Sequence, residues 1–102
     1  MTREAIKFWR MKIFKEALNT AVFTTVYVVK KNSPILFVYH DEDGGWQFHG
    51  PEDNVAEQDM MIIGLGELIE IDNSVLEVSD IPVGSEAVRS SRGNQWRIIT
   101  RN

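Results

Sequence analysis

Short runs of apolar residues, separated by polar turns, recur along this chain and favour strands over long helices. Residues 20–30 are rich in β-branched side chains, which predicts a strand that ends before Pro34. Residues 35–40 form a second β-branched and aromatic run, and residues 46–49 alternate large apolar with polar side chains. Because the connections are of hairpin length, we expect these three strands to form an antiparallel meander.

The second half of the chain predicts further short elements. A brief apolar run ends at Gly64, and leucine and isoleucine follow it at helical spacing. Ser74 and Glu77 have the spacing of a capping box, which predicts that a helical turn starts at the serine. The predicted elements are a strand at 60–64, helices at 65–71 and 74–78, and a final hairpin of strands at 86–91 and 95–100.

Two regions follow from these patterns. Residues 1–19 are an N-terminal segment in which residues 2–18 favour a helix, although its apolar residues share a face with Arg10. Residues 20–102 are predicted to form a single α+β domain, with an antiparallel sheet (meander plus C-terminal hairpin) and short helices.

Aromatic residues of the predicted strands are expected to form the core. Trp46 alternates with Phe48 beside a strong apolar strand, a pattern that is typical of a buried strand face. An exposed tryptophan that stacks on a sugar or a base is the alternative for Trp46. The predicted core aromatics are Phe37, Trp46, Phe48 and Trp96.

The composition narrows the class of protein. A chain of 102 residues is long enough for one domain with a core of its own. It contains no cysteine, which excludes disulfides and cysteine-based zinc sites and fits a reducing compartment. No stretch resembles a signal peptide or a membrane span, so we expect a cytoplasmic protein without a membrane partner.

Charge is segregated along the chain, within an overall net charge of −4. Residues 41–86 contain thirteen acidic residues and no lysine or arginine, whereas residues 1–31 contain seven bases and two acids. Either the basic ends fold back and neutralise the middle, or the acidic stretch attracts a basic partner. Such a stretch does not suit a nucleic-acid backbone. The predicted partner-binding residues are Asp41, Glu42, Asp43, Glu52 and Asp53.

The best candidate for metal or catalytic chemistry is the turn between the second and third strands. His40, Asp41 and Asp43 lie in this turn, and His49 follows on the next strand. Two imidazoles and a carboxylate would suit zinc or iron. An EF-hand is excluded because Gly45 occupies the position of the third calcium ligand. Turn conformation alone explains the acids and glycines, so we predict no metal and no cofactor.

Several motifs resemble those of a family of small bacterial proteins that carry a domain of unknown function. Relatives of that family are classed as immunity proteins of polymorphic toxin systems. The matching segments are residues 20–25, 40–48, 63–69 and 80–84, together with Ala87 and Arg89. Asn73 departs from the pattern, since relatives often have proline there. The resemblance implies a protein that neutralises a cognate toxin, and it carries over no catalytic residues.

Three functions therefore remain open at this point. The prediction is a non-enzymatic domain that binds a protein partner, with a basic toxin as the partner class that the resemblance implies. The first alternative is a small metal-dependent hydrolase that uses His40, His49 and Asp41. The second is an accessory or oligomerisation domain.

Overall fold

Six strands form one mixed sheet in the computed structural model, which describes residues 12–100. The strand order is β4-β1-β3-β2-β5-β6, and the β1–β3 pair is parallel while the others are antiparallel. This arrangement confirms the predicted α+β class. The strands are β1 (Ala21–Thr25), β2 (Phe37–His40), β3 (Trp46–His49), β4 (Met60–Gly64), β5 (Glu86–Val88) and β6 (Arg97–Ile99). The helices are α1 (Val26–Lys30) and α2 (Leu65–Ile71), with 3₁₀ helices at Glu57–Asp59 and Asn73–Val78.

The strand predicted over residues 20–30 is too long, because its second half is helical. Thr25 has extended backbone angles, and its hydroxyl oxygen accepts a hydrogen bond from the backbone N–H of Val28 at 3.2 Å. This is an N-cap, and it starts the single helical turn α1 within a run of strongly strand-favouring residues. Local capping therefore overrides the β-propensity of the valines.

The predicted meander is wrong at its first strand, whereas its second connection is correct. Strands β2 and β3 form the expected hairpin, in which His40 lies opposite Trp46. Strand β1 instead pairs with β4 on one side and lies parallel to β3 on the other, with Phe23 opposite Gln47. The α1 turn and the residues after it carry the chain past β3. A buried hydrogen bond of 2.8 Å from the Thr24 hydroxyl to the Phe48 carbonyl also ties β1 to β3.

The second half of the chain follows the prediction closely. Strand β4 ends at Gly64, helix α2 covers residues 65–71, and β5 and β6 form the C-terminal hairpin with strands shorter than expected. The predicted cap is wrong, because Asp72 rather than Ser74 caps the following helical turn. The Asp72 carboxylate accepts hydrogen bonds from the Ser74 N–H at 3.0 Å and from the Ser74 hydroxyl at 2.7 Å.

One face of the sheet packs on the core. Trp46 is 1% exposed and Phe48 is fully buried, beneath α2 and the Asn73–Val78 turn. Trp96 is half-buried and packs against this cluster. Phe37 differs from the prediction, because it is partly exposed and lies on the opposite face. The reason is strand alternation, since its neighbour Val38 points into the core.

The described part of the N-terminal segment is not helical. Residues 12–20 form bends and turns, and the rest of the helix predicted over residues 2–18 lies outside the described residues. Phe14 is buried, with its ring edge-on to Trp46 at 5.0 Å between centroids. The carbonyl of Leu18 accepts a hydrogen bond from the N–H of Gly66 at 2.8 Å. Residues 14–18 therefore contact the domain through Phe14 and Leu18.

Candidate functional site

The sheet has a second face, opposite the core, that carries partly exposed apolar side chains. Directly paired residues share a face of a sheet, so the register places these side chains together across five strands. Ile62 and Phe23 are its most open apolar members, at 62% and 45% exposure. We call this surface the outer face; its members on β4, β1, β3, β2 and β5 are Ile62, Phe23, Gln47, His49, Tyr39, Phe37, Glu86 and Val88.

A groove of about 560 Å³ lies at one end of the outer face, between β2 and the loop that follows β3. Phe37, Tyr39 and His49 line it from the sheet, and Glu52 and Asp53 line it from the loop. We call it the outer groove. It combines aromatic rings with two carboxylates at its border.

Glu52 is held in this groove by one of its carboxylate oxygens. Its Oε2 accepts a hydrogen bond from the hydroxyl of Ser33, which fixes the loop against the turn before β2. Its Oε1 is buried and accepts no hydrogen bond within residues 12–100. A buried carboxylate oxygen without a donor is costly, so this placement of Glu52 destabilises the loop locally.

His49 is the end of a hydrogen-bonded chain along β3. The Gln47 side-chain amide donates to the Asp41 carboxylate at 2.9 Å, and the Gln47 carbonyl oxygen lies 2.9 Å from Nε2 of His49. Because an amide oxygen only accepts, Nε2 of His49 carries the hydrogen and Nδ1 of the neutral ring is an acceptor. Burial lowers the pKa of His49 below its ordinary 6.5, and the nearby Asp41 carboxylate only partly opposes this. The imidazole is therefore neutral at pH 7.

The acidic turn between β2 and β3 lies at the other end of the hairpin. The N–H of Asp41 donates to the Gly45 carbonyl, and the N–H of Gly44 donates to the Asp41 carbonyl, both at 2.8 Å. The Asp43 carboxylate accepts the N–H of Gly45 at 2.9 Å. These bonds leave the side chains of Glu42 and Asp43 exposed. The predicted partner-binding residues thus occupy two places, the hairpin turn and the outer groove. A hairpin with four residues per strand separates them by roughly 10 Å.

The basic residues neutralise the acidic stretch at two points within residues 12–100. Lys12 forms an exposed ion pair with Asp80 at 3.2 Å, and Arg89 forms a buried one with Asp72 at 2.6 Å. In the described part of the chain, none of the predicted partner-binding carboxylates forms an ion pair. Neutralisation of the acidic stretch by basic residues therefore accounts for Asp72 and Asp80. It leaves the hairpin turn and the outer groove acidic.

The structure does not bring the two histidines together. His40 points into the core, where its ring stacks on Trp46 at 3.9 Å and its Nδ1 lies 2.8 Å from the carbonyl oxygen of Ile81. His49 lies opposite Phe37 on the outer face. The cause is strand alternation, because the positions paired with these histidines, 46 and 37, belong to opposite faces. Within residues 12–100 no three His, Asp or Glu side chains are arranged to hold a metal ion.

Arg89 is an extensively bonded side chain that appears in the sequence analysis only within the family resemblance, without a role. Its guanidinium donates to the Ile35 carbonyl at 2.9 Å, the Ser74 hydroxyl at 2.8 Å and the Asp72 carboxylate at 2.6 Å. It also lies 4.1 Å from the ring centroid of Trp96. The sequence feature that could have predicted its burial is its position two residues after Ala87, because alternate residues of a strand share a face and Ala87 is buried on the core side. This cluster is structural, because it ties β5 to the Asn73–Val78 turn.

The Arg89 cluster also determines the charge state of Asp72. Burial raises the pKa of this carboxyl. Hydrogen bonds from Ser74 and Arg89, together with the charge of Arg89, lower the pKa by more than burial raises it. The net effect is a pKa below the ordinary 3.8. Asp72 is therefore ionised at neutral pH and belongs to the fold rather than to a binding surface.

Comparison with known proteins adds no family to this description. None of the helices in residues 12–100 is long and apolar enough to cross a membrane. A scan against protein-family models gives no match, and neither curated proteins nor solved structures match the chain.

Proposed function

We propose that this protein is a non-enzymatic domain that binds a basic protein partner. The observation that carries the proposal is the combination of an open apolar sheet face with carboxylates at its border that form no ion pair in the described structure. Apolar side chains in the centre and charged groups at the rim are the usual anatomy of a protein interface. Exposed Phe23 and Ile62 supply part of the centre, and the carboxylates supply the rim.

Electrostatic steering explains why the partner is basic. Acidic side chains that are not neutralised within the protein raise the encounter rate with a positively charged surface, and salt weakens this effect. At physiological ionic strength the screening length is about 8 Å, so the rim acts mainly on a partner that is already near. Glu42, Asp43 and Asp53 are the exposed members of the predicted set.

A cognate toxin is the partner class that the family resemblance supports. Many toxins that attack nucleic acids are basic, and an acidic inhibitor would suit them. The protein would then act as an immunity protein in the bacterial cytoplasm, a location that also fits the absence of cysteine. This assignment rests on the resemblance and on the unneutralised acidic rim.

The metal-dependent hydrolase finds no support in this geometry. It requires His40, His49 and Asp41 around one metal, but the two histidines lie on opposite faces of the sheet. The accessory or oligomerisation domain is the remaining alternative, because exposed Phe23 and Ile62 would also suit a second copy of the chain.

The test is binding to the product of the neighbouring gene, followed by association rates at low and high salt. The variant carries Glu42→Lys, Asp43→Lys and Asp53→Lys, which change exposed side chains. We expect it to associate at least about tenfold more slowly at low salt and to melt within a few degrees of the parent.

The matched control reverses charge elsewhere. Glu67 and Glu70 are exposed on α2, which packs on the core side of the sheet. For each reversed charge, the variant Glu67→Lys, Glu70→Lys should slow association much less than the variant at Glu42, Asp43 and Asp53. An equal effect per charge of the two variants would place the interface elsewhere. A stable homo-oligomer that binds no other protein would favour the oligomerisation domain.

A further inference from the structure

We infer that the outer groove binds a guanidinium or ammonium group, which an arginine or lysine side chain of the partner would supply. This inference deepens the proposed function and rests on it, because it names the chemistry by which the basic partner is recognised. Its basis is the presence of two carboxylates and three aromatic rings around one groove of about 560 Å³.

The carboxylates make the groove attractive to a cation. Asp53 is exposed at its border, and the partly buried Glu52 adds a second carboxylate to its lining. A guanidinium carries several N–H donors in a planar fork and suits carboxylate oxygens in this arrangement.

The aromatic walls supply a second attraction. The rings of Tyr39 and His49 meet edge-to-face at 5.6 Å between centroids, and Phe37 lies beside His49. Cations are attracted to the faces of tyrosine and phenylalanine rings within about 6 Å. The partly exposed rings of Phe37 and Tyr39 can therefore pack on the apolar stem of an arginine or lysine as well as on its charge.

His49 contributes an acceptor rather than a competing charge. Its Nε2–H donates to the side-chain oxygen of Gln47, so the Nδ1 lone pair of the neutral ring remains an acceptor for a donor in the groove. The Gln47–Asp41 hydrogen bond holds the amide in the orientation that this tautomer requires.

Arg89, the arginine among residues 12–100 that lines the groove, does not oppose a cation. Arg89 is 6% exposed, and its guanidinium is directed to Ile35, Ser74 and Asp72 on the other side of the sheet. Its charge is balanced by the Asp72 carboxylate. An anion entering the groove would therefore meet the carboxylates of Glu52 and Asp53 without access to this guanidinium.

The probe for this inference is N-acetyl-L-arginine amide, followed by NMR titration of the ring resonances of Tyr39 and His49. The citrulline analogue is the matched control, because it has nearly the same shape and no charge. We expect saturable shifts with arginine amide, at a dissociation constant on the order of millimolar, and at least tenfold weaker binding of citrulline amide. Equal shifts with both compounds, or no saturable shift with arginine amide, would overturn the inference.

Two variants test the assignment to this groove. Glu52→Gln with Asp53→Asn removes both charges, while the glutamine oxygen can still accept the Ser33 hydrogen bond. We expect this double variant to weaken arginine amide binding at least tenfold, whereas Glu67→Gln with Glu70→Gln leaves it unchanged. Parent-like binding by the first double variant, with an unchanged melting temperature, would show that the groove is not the site.

The groove experiment and the partner-binding experiment can fail independently of each other. Arginine amide that binds in the groove of a protein without any protein partner would leave the groove assigned and refute the proposed function. A protein partner that binds normally to the Glu52→Gln, Asp53→Asn variant would retain the proposed function and refute the groove as its recognition site.

Discussion

Replacing Arg89 with methionine removes the buried charge that connects β5 to the Asn73–Val78 turn. Methionine has a similar length, so the change removes the guanidinium while keeping much of the apolar stem. The Asp72 carboxylate, 12% exposed, would keep its hydrogen bonds from Ser74 but lose its counter-ion. The Ile35 carbonyl would also lose its hydrogen-bond donor.

The magnitude follows from these contacts. Breaking a buried ion pair by removing one partner costs about 3–5 kcal/mol. Because Ser74 continues to bond the carboxylate, we expect a loss near the lower end, about 3 kcal/mol. For a domain of this size, such a loss lowers the melting temperature by roughly 12–24 °C. Arg89→Lys keeps the charge without the fork, so it should cost about half as much, because one ammonium cannot satisfy all three acceptors.

Urea denaturation of a double-mutant cycle tests the reasoning. Asp72→Asn keeps an acceptor for the Ser74 N–H and removes the charge. The variant with both Arg89→Met and Asp72→Asn should be at least as stable as Arg89→Met alone, because it no longer buries an unpaired carboxylate. Simple addition of the two single-variant costs, or a loss below about 1 kcal/mol for Arg89→Met, would refute the account of this cluster.

The remaining predictions concern the core and the pH dependence of stability. Trp46→Ala should cost about 3–5 kcal/mol in urea denaturation, since it opens a large cavity and removes the donor to Glu16 at 3.1 Å; a melting temperature within a degree or two of the parent would contradict the buried stack. The lowered pKa of Asp72 predicts a stabilising contribution that is present above pH 3.8, its ordinary pKa, and is lost as the pH falls through the lower folded value. The stability difference between the parent and Asp72→Asn should therefore shrink as the pH falls below 3.8, and a difference that is constant from pH 7 to pH 2.5 would contradict it.

Much of the local structure could be predicted from short-range pattern. The hairpin of β2 and β3 follows from two apolar runs around a glycine-ended acidic turn, and α2 follows from apolar spacing after Gly64. The burial of Trp46 and the exposure of the acidic turn follow from alternation and polarity. Each of these features depends on residues that are close together in the chain, which is why the pattern predicts them.

The errors occurred at helix caps and where distant residues decide the outcome. The capping hydroxyl of Thr25 ends a strand in the middle of a β-favouring run, and the parallel pairing of β1 with β3 depends on where the chain returns after α1. The Arg89 cluster joins residues 35, 72, 74 and 96, which no local pattern connects.

The sequence by itself determined the excess of acidic residues in the middle of the chain, the elements with clear periodicity and the absence of cysteine chemistry. The tertiary structure decided which side chains share a surface. His40 and His49 flank one hairpin in the sequence, yet they face opposite ways because each strand alternates its side chains and the hairpin register pairs them with positions 46 and 37. Tyr39 and His49 border one groove because the β2–β3 register places them on the same face, and the Ser33–Glu52 hydrogen bond holds the loop after β3 beside them.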